Sequence, residues 1–219
     1  MAVETLALNI VFGLVSNTLA ELLLSFELKK PFRLLDRARK YIRLVRWIAC
    51  LAGFIFIGMV HPSVLKLILL GLFSVSAATD FETSFLPPDW FVYGSVAVGL
   101  AAGFLTGNVA GLRDAVVAQA VCFAMMVFAV LFANAADSGD IKLLMQYGAT
   151  AGSLTAVGIG IAVEFVVRVG ILIAICILYW TQQRDLSSSF STAARARVPH
   201  GPIAWVGLVG MLIITTVIC

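Results

Sequence analysis

The chain has 219 residues, of which 61% are hydrophobic and only 12% charged, and its mean hydropathy is +1.03. Soluble domains average about 45–50% apolar and about 25% charged residues, so a water-soluble fold is excluded: that much apolar surface needs lipid as its solvent. The net charge of +3 is small, and its distribution along the chain carries more information than its size.

Apolar runs occupy residues 5–26, 47–61, 64–79, 90–107, 115–136, 147–163, 165–181 and 202–218. Only helices and closed barrels cross a bilayer, because lipid offers backbone groups no hydrogen-bond partners. These runs are long and do not alternate, which selects helices. The expectation is an all-α polytopic membrane protein of about eight transmembrane helices, forming a single membrane-embedded unit over residues 1–219. The first run has no basic segment and no small-residue cleavage site before it, so it reads as a retained helix.

Residues 29–46 hold Lys29, Lys30, Arg33, Arg37, Arg39, Lys40, Arg43 and Arg46. Eight spans place this segment, Lys142 and the arginines of residues 184–197 on one side, which gathers twelve of the fifteen lysines and arginines there. The positive-inside rule assigns that side to the cytoplasm. Phe32, Leu34, Leu35, Tyr41, Ile42 and Leu44 alternate with the basic residues, the pattern of an amphipathic helix on anionic lipid headgroups. Anchoring at a membrane accounts for this charge, and no nucleic-acid partner is expected.

Short external loops are expected at residues 61–63 and 108–114. Residues 148–181 read as one long helix or two short ones. Glu164 and Arg168, four apart and able to pair, mark the expected turn. Cys50, Cys122, Cys176 and Cys219 are scattered without a C-x-x-C pair, so neither a zinc ribbon nor a redox motif is indicated. Three of them lie in apolar runs and read as small buried side chains. Residues 187–197, rich in Ser, Ala and Arg, read as a cytoplasmic loop.

The chemistry concentrates where the third and fifth spans end. One cluster reads Thr79-Asp80-Phe81-Glu82, followed by Pro87-Pro88-Asp89, and the other Asp137-Ser138-Gly139-Asp140-Ile141-Lys142. Two carboxylates that converge at a low-dielectric boundary do not both ionise cheaply and share a proton. Aspartyl proteolysis requires this state, in which the ionised partner deprotonates water while the protonated one polarises the carbonyl. An aspartate at a helix end is also a common cap, so spacing alone leaves the function open.

Asp80 with Pro87 seven residues on, Ser138-Gly139-Asp140-Ile141-Lys142-Leu143-Leu144 with Gly148-Ala149, and Val198-Pro199-His200-Gly201-Pro202 together resemble the type IV prepilin peptidase family of membrane aspartic peptidases. The resemblance runs from about residue 64 onward. It makes residues 64–219 the catalytic core and 1–63 an N-terminal pair of helices with a basic loop. It implies that Asp80 and Asp140 are the catalytic pair, with Gly139 and Lys142 at further family positions. For Lys142, a purely topological anchor is an equal alternative. The implied substrate is a pilin-like or pseudopilin-like precursor of a pilus or secretion system, cut after a short basic leader at the cytoplasmic face of the inner membrane. Glu82, Asp89 and Asp137 crowd that surface and suit contact with a basic leader, with ordinary solvated loop acids the first reading for Glu82 and Asp89.

The chain departs from the family pattern at Asp137, which stands where the first glycine of G-x-G-D belongs, and at His200, which replaces a phenylalanine. The larger members' C-x-x-C pairs are missing, so methylating activity is not implied. No metal or organic cofactor is implied either. Two rivals remain: a cation-binding transporter or channel, which clustered carboxylates also suit, and a non-catalytic assembly subunit.

Overall fold

The computed structural model describes residues 3–28, 37–60, 63–83, 88–133, 138–183 and 200–218. Among these, seven helices follow one another: α1 (Val3–Leu28), α2 (Arg37–Gly58), α3 (Val64–Thr83), α4 (Asp89–Ala133), α5 (Ser138–Ala151), α6 (Leu154–Gln183) and α7 (His200–Ile218). The protein is all-helical in the described residues, and five helices, α1, α2, α3, α4 and α6, are long and apolar enough to cross a membrane.

Eight spans are therefore not what the structure contains. Two of the expected runs, 90–107 and 115–136, are limbs of the single element α4. The chain turns within it at Asn108, the one described non-glycine residue with positive φ (55°, with ψ −143°). A Cβ on Gly103 would lie 2.8 Å from the carbonyl oxygen of Gly111. Eight residues along a straight helix span about 12 Å, so the limbs double back on each other at one of the expected external loops. Helix α5, with 14 residues, is about 21 Å long, short of the roughly 30 Å hydrocarbon core. The apolar stretch of α7, Gly201–Val217, is also below spanning length.

A second correction concerns residues 148–181. The expected turn at Glu164 and Arg168 is absent, and α6 runs unbroken through both. The break lies earlier, at Gly152, whose φ of +73° is a left-handed conformation that glycine enters without steric cost. Ser153 then caps α6, its hydroxyl oxygen accepting the Ala156 amide at 3.2 Å. The charges of Glu164 and Arg168 do interact, as neighbours one turn apart on a continuous helix.

Several hydroxyls inside the helices are satisfied locally, which limits their cost in lipid. The hydroxyls of Ser16, Ser95, Thr106 and Thr216 each donate to a carbonyl one turn earlier at 2.6–2.9 Å. The main core gathers Phe54, Leu70, Phe73, Tyr147, Leu208 and Met211 from α2, α3, α5 and α7, all essentially without exposed surface. The outer faces of α4 and α6 keep large apolar residues exposed, among them Phe104, Leu131, Phe165 and Val166. In water such a surface would aggregate; against acyl chains it is the expected one.

Two arginines of the basic segment turn inward rather than outward. Residues from Arg37 onward form the first turns of α2, and Arg43 and Arg46 are buried at 2% and 6% exposure while Tyr41, Ile42, Leu44 and Val45 face outward. Both guanidinium groups pair with Glu21 of α1, Arg43 at 2.8 Å. Arg46 also donates to Asn17, and the Trp47 indole donates to Glu21 at 3.1 Å. Burial of two arginines is tolerable because a carboxylate meets them. Residues 29–36 lie outside the described residues.

Candidate active site

Asp80 occupies the last turn of α3 and Asp140 the first turn of α5. Both are partly buried, and Asp140 lies within electrostatic range of Asp80. The packing below explains why the two meet. The rings of Phe73 and Tyr147 make an edge-to-face contact with centroids 5.7 Å apart at 74°, and neither residue is exposed. Phe73 precedes Asp80 by two helical turns, and Tyr147 follows Asp140 by two turns. The ring contact thus lies the same two turns from each aspartate, which places both near the same end of the antiparallel pair α3 and α5.

The third motif joins them. The backbone N–H of Gly201, in the first turn of α7, donates to Asp80 Oδ2 at 2.6 Å. A side chain there has no room: a Cβ on Gly201 would stand 2.9 Å from both Ala77 Cα and Asp80 Oδ2. Glycine is thus required at this position by the approach of α7 to α3. Elements 121 residues apart in sequence converge on one carboxylate.

Lys142 points elsewhere. Its ammonium pairs with Asp89 at 2.5 Å, tying the first turn of α5 to the first turn of α4. This pair ties two helix starts together and gives Asp89 a lysine partner. Glu82 sits in the last turn of α3 and Gly139 in the first turn of α5. Asp137 and Pro87 lie outside the described residues. Among the described residues no three His, Cys, Asp or Glu side chains gather into a metal-sized cluster.

Two features were not anticipated from the sequence: the pairing of Glu21 with arginines and the burial of Glu164 against α7. Glu21 is a lone acid in an otherwise apolar run, the signal that should have flagged an intramembrane partner for arginine. Glu164, 5% exposed, lies near the middle of α6. It packs over Gly207 of α7, where a Cβ would come 3.1 Å from its Oε1, and its charge reaches Tyr147 and Cys122. Comparison with known proteins finds no matching family model, curated protein or solved structure.

Proposed function

We propose that the chain is a membrane aspartic endopeptidase that removes the short basic leader of type IV prepilin-like or pseudopilin-like precursors, with Asp80 and Asp140 as its catalytic pair. The observation that carries this reading is the convergence at Asp80 of the electrostatic neighbour Asp140 and the Gly201 amide. These are the three motif elements that resemble the prepilin peptidases; the Gly201 bond is also what a carboxylate capping the first turn of α7 makes, so the nearness of Asp140 is what favours the catalytic reading.

In this mechanism the pair holds one proton between two carboxyls. The ionised carboxylate takes a proton from water as the oxygen attacks the scissile carbonyl carbon. The protonated carboxyl hydrogen-bonds the carbonyl oxygen as charge builds there. Collapse of the tetrahedral intermediate breaks the C–N bond, and a carboxyl proton passes to the departing amine. The Gly201 amide holds Asp80 in one orientation through this cycle. The precursor's hydrophobic helix lies in the bilayer, its basic leader at the cytoplasmic face and the scissile bond at the helix ends where the dyad sits.

The test is co-expression with a pilin-like precursor, following loss of the leader by mass. Wild type cleaves, whereas Asp80→Asn and Asp140→Asn do not. Normal processing by either variant would end the dyad assignment. The buried acid of α6 favours one alternative, a cation transporter, because ionisable residues at mid-span commonly line ion paths. Cation flux in vesicles that disappears in Glu164→Gln, with no cleavage of any precursor, would select it. A non-catalytic assembly subunit would show neither activity.

A further inference from the structure

The helices that carry the dyad end lower than their neighbours, taking the dyad side of the bundle as the top. Gly148 of α5 rests on α4, where a Cβ would stand 2.8 Å from the Ala118 carbonyl oxygen and from Gln119 Cα. Asp140 precedes Gly148 by eight residues, and the second limb of α4 runs antiparallel to α5, so Asp140 is level with about residue 126. That limb continues to Ala133, about 10 Å above the dyad. Helix α6 does the same beside α7. Gly207 sits between Gly160 and Glu164, which puts the start of α7 level with about residue 169, yet α6 stays helical to Gln183. On α2 the dyad height is marked by Val45, which lines an apolar cavity together with Phe81 and Pro202, the neighbours of Asp80 and Gly201. Lys40 stands five residues before Val45, about 7 Å higher.

Above the dyad these three helices expose apolar side chains. They are Tyr41, Ile42 and Leu44 on α2, Phe128 and Leu131 on α4, and Ile173 and Ile177 on α6. Those of α6 belong to one continuous apolar span, Leu154–Leu178, of mean hydropathy 2.6. At the dyad's own height the surface is charged instead. Gly99 packs on Ala149, so the first limb of α4 begins level with Asp140, and there Asp89 pairs with Lys142 while its side chain stays 63% exposed.

The two surfaces ask for different solvents. An exposed ion pair among acyl chains is expensive, and apolar helix ends standing in water are equally out of place. Both demands are met when the headgroups lie at the rim, near Lys40 and the tops of α4 and α6, and water fills the depression between them. Lys40 is exposed, as suits a cation at headgroup height.

We propose that the dyad works at the floor of a water-filled recess about 10 Å below the headgroups, and that it cuts a bond lying inside the apolar layer. The recess stands on the helix registers alone, whereas the buried cut rests on the peptidase reading above. About three extended residues, at about 3.3 Å each, cover that depth. A basic side chain is favoured at the headgroups and penalised below them. The preferred precursor therefore keeps at least about three uncharged residues between its last basic residue and the bond.

The experiment has two arms, both on full-length protein in lipid vesicles. In the first, a spin-labelled amino acid is introduced through its codon at position 131, 177 or 89, so the native cysteines do not interfere. Collisions with oxygen, which gathers in lipid, are compared with collisions with a water-soluble nickel complex. Labels at Leu131 and Ile177 are expected to meet oxygen and be shielded from nickel, while the label at Asp89, lower in the bundle, is open to nickel. Nickel reaching all three positions alike places the dyad at the membrane surface and overturns the recess, as does exclusion of nickel from position 89. The second arm follows leader cleavage by mass for precursors with none to about six uncharged residues before the bond. The kcat/KM is expected to rise by roughly 10-fold or more once about three are present. An equal or higher rate with the basic residue next to the bond overturns the buried cut. No cleavage of any precursor overturns the peptidase reading and the spacing rule together, while the labels still decide the recess by themselves.

Discussion

Replacing Gly201 by alanine tests the site at its tightest point. The added methyl would meet Ala77 Cα and Asp80 Oδ2 at 2.9 Å and Asp80 Cβ at 3.0 Å. Two of these three atoms belong to the rigid frame of α3, so neither yields by rotating a side chain. Ordinary carbon contacts begin at about 3.5 Å, and α7 must retreat by roughly 0.5 Å or more. That motion stretches the 2.6 Å bond from the Gly201 amide to Asp80 to about 3.1 Å, the long end of the ordinary range. A hydrogen bond to a charged group contributes about 1.5–3 kcal/mol, and a weakened one forfeits part of that. If it orients Asp80 during catalysis, kcat falls by up to roughly 10-fold, with KM little changed. Overpacking costs a further 1–3 kcal/mol or so of stability. Gly210→Ala is the matched control: on the same helix, its methyl would meet Val163 Cγ1 of α6 at 2.8 Å, away from Asp80. Thermal unfolding and leader cleavage are measured on both variants in detergent. Loss of stability in both, with loss of rate in Gly201→Ala alone, is the expected pattern. Equal rates in the two variants would refute the role assigned to the amide.

Other consequences are smaller or lie elsewhere. A double-mutant cycle between Phe73→Leu and Tyr147→Leu is expected to show a coupling of about 0.5–1.5 kcal/mol in unfolding, and zero coupling would mean that the ring contact does not set the α3–α5 register. Asn108→Gly should hold or raise stability by about 1 kcal/mol, because glycine relieves the positive φ, while Asn108→Val should lower it; chemical denaturation compares the two. Removing the charge that faces two buried arginines, as in Glu21→Gln, is expected to cost about 3 kcal/mol, read as a fall in Tm. By contrast, Lys142→Ala breaks a pair whose aspartate is 63% exposed, and its stability should change by less than about 1 kcal/mol.

The sequence made the helices legible wherever a long apolar run ended in charge or proline, as in α1, α3 and both limbs of α4. It misled where charge interrupted an apolar run. Glu164 and Arg168 suggested a turn because ionised groups belong near an interface, yet α6 keeps them on consecutive turns of one helix and buries the acid against a glycine of α7. The true break carried its own local signal, Gly152 before a serine cap, which the search for charges passed over. The place of Asp80 near the end of α3 was readable from its span, but Asp140 was expected beyond the end of a span and lies instead in the first turn of the short helix α5. The Gly201 bond and the Phe73–Tyr147 spacer were not readable, because which faces of α3, α5 and α7 meet is decided by packing across the whole bundle. The inward turn of Arg43 and Arg46 was hidden for the same reason, since periodicity cannot tell a headgroup from a carboxylate as the partner of an arginine.

The pairing of Arg43 and Arg46 with Glu21 also bears on how the protein reaches its bilayer. An arginine offered to the insertion machinery inside a span costs up to about 3 kcal/mol, so α2 alone is a poor candidate for release into lipid. With α1 already waiting and Glu21 facing it, the same segment brings its counter-charge within reach. Helices α1 and α2 are therefore expected to enter as a hairpin, with α1 acting as an intramolecular chaperone for its neighbour. Deleting α1 should leave α2 retained at the surface or degraded.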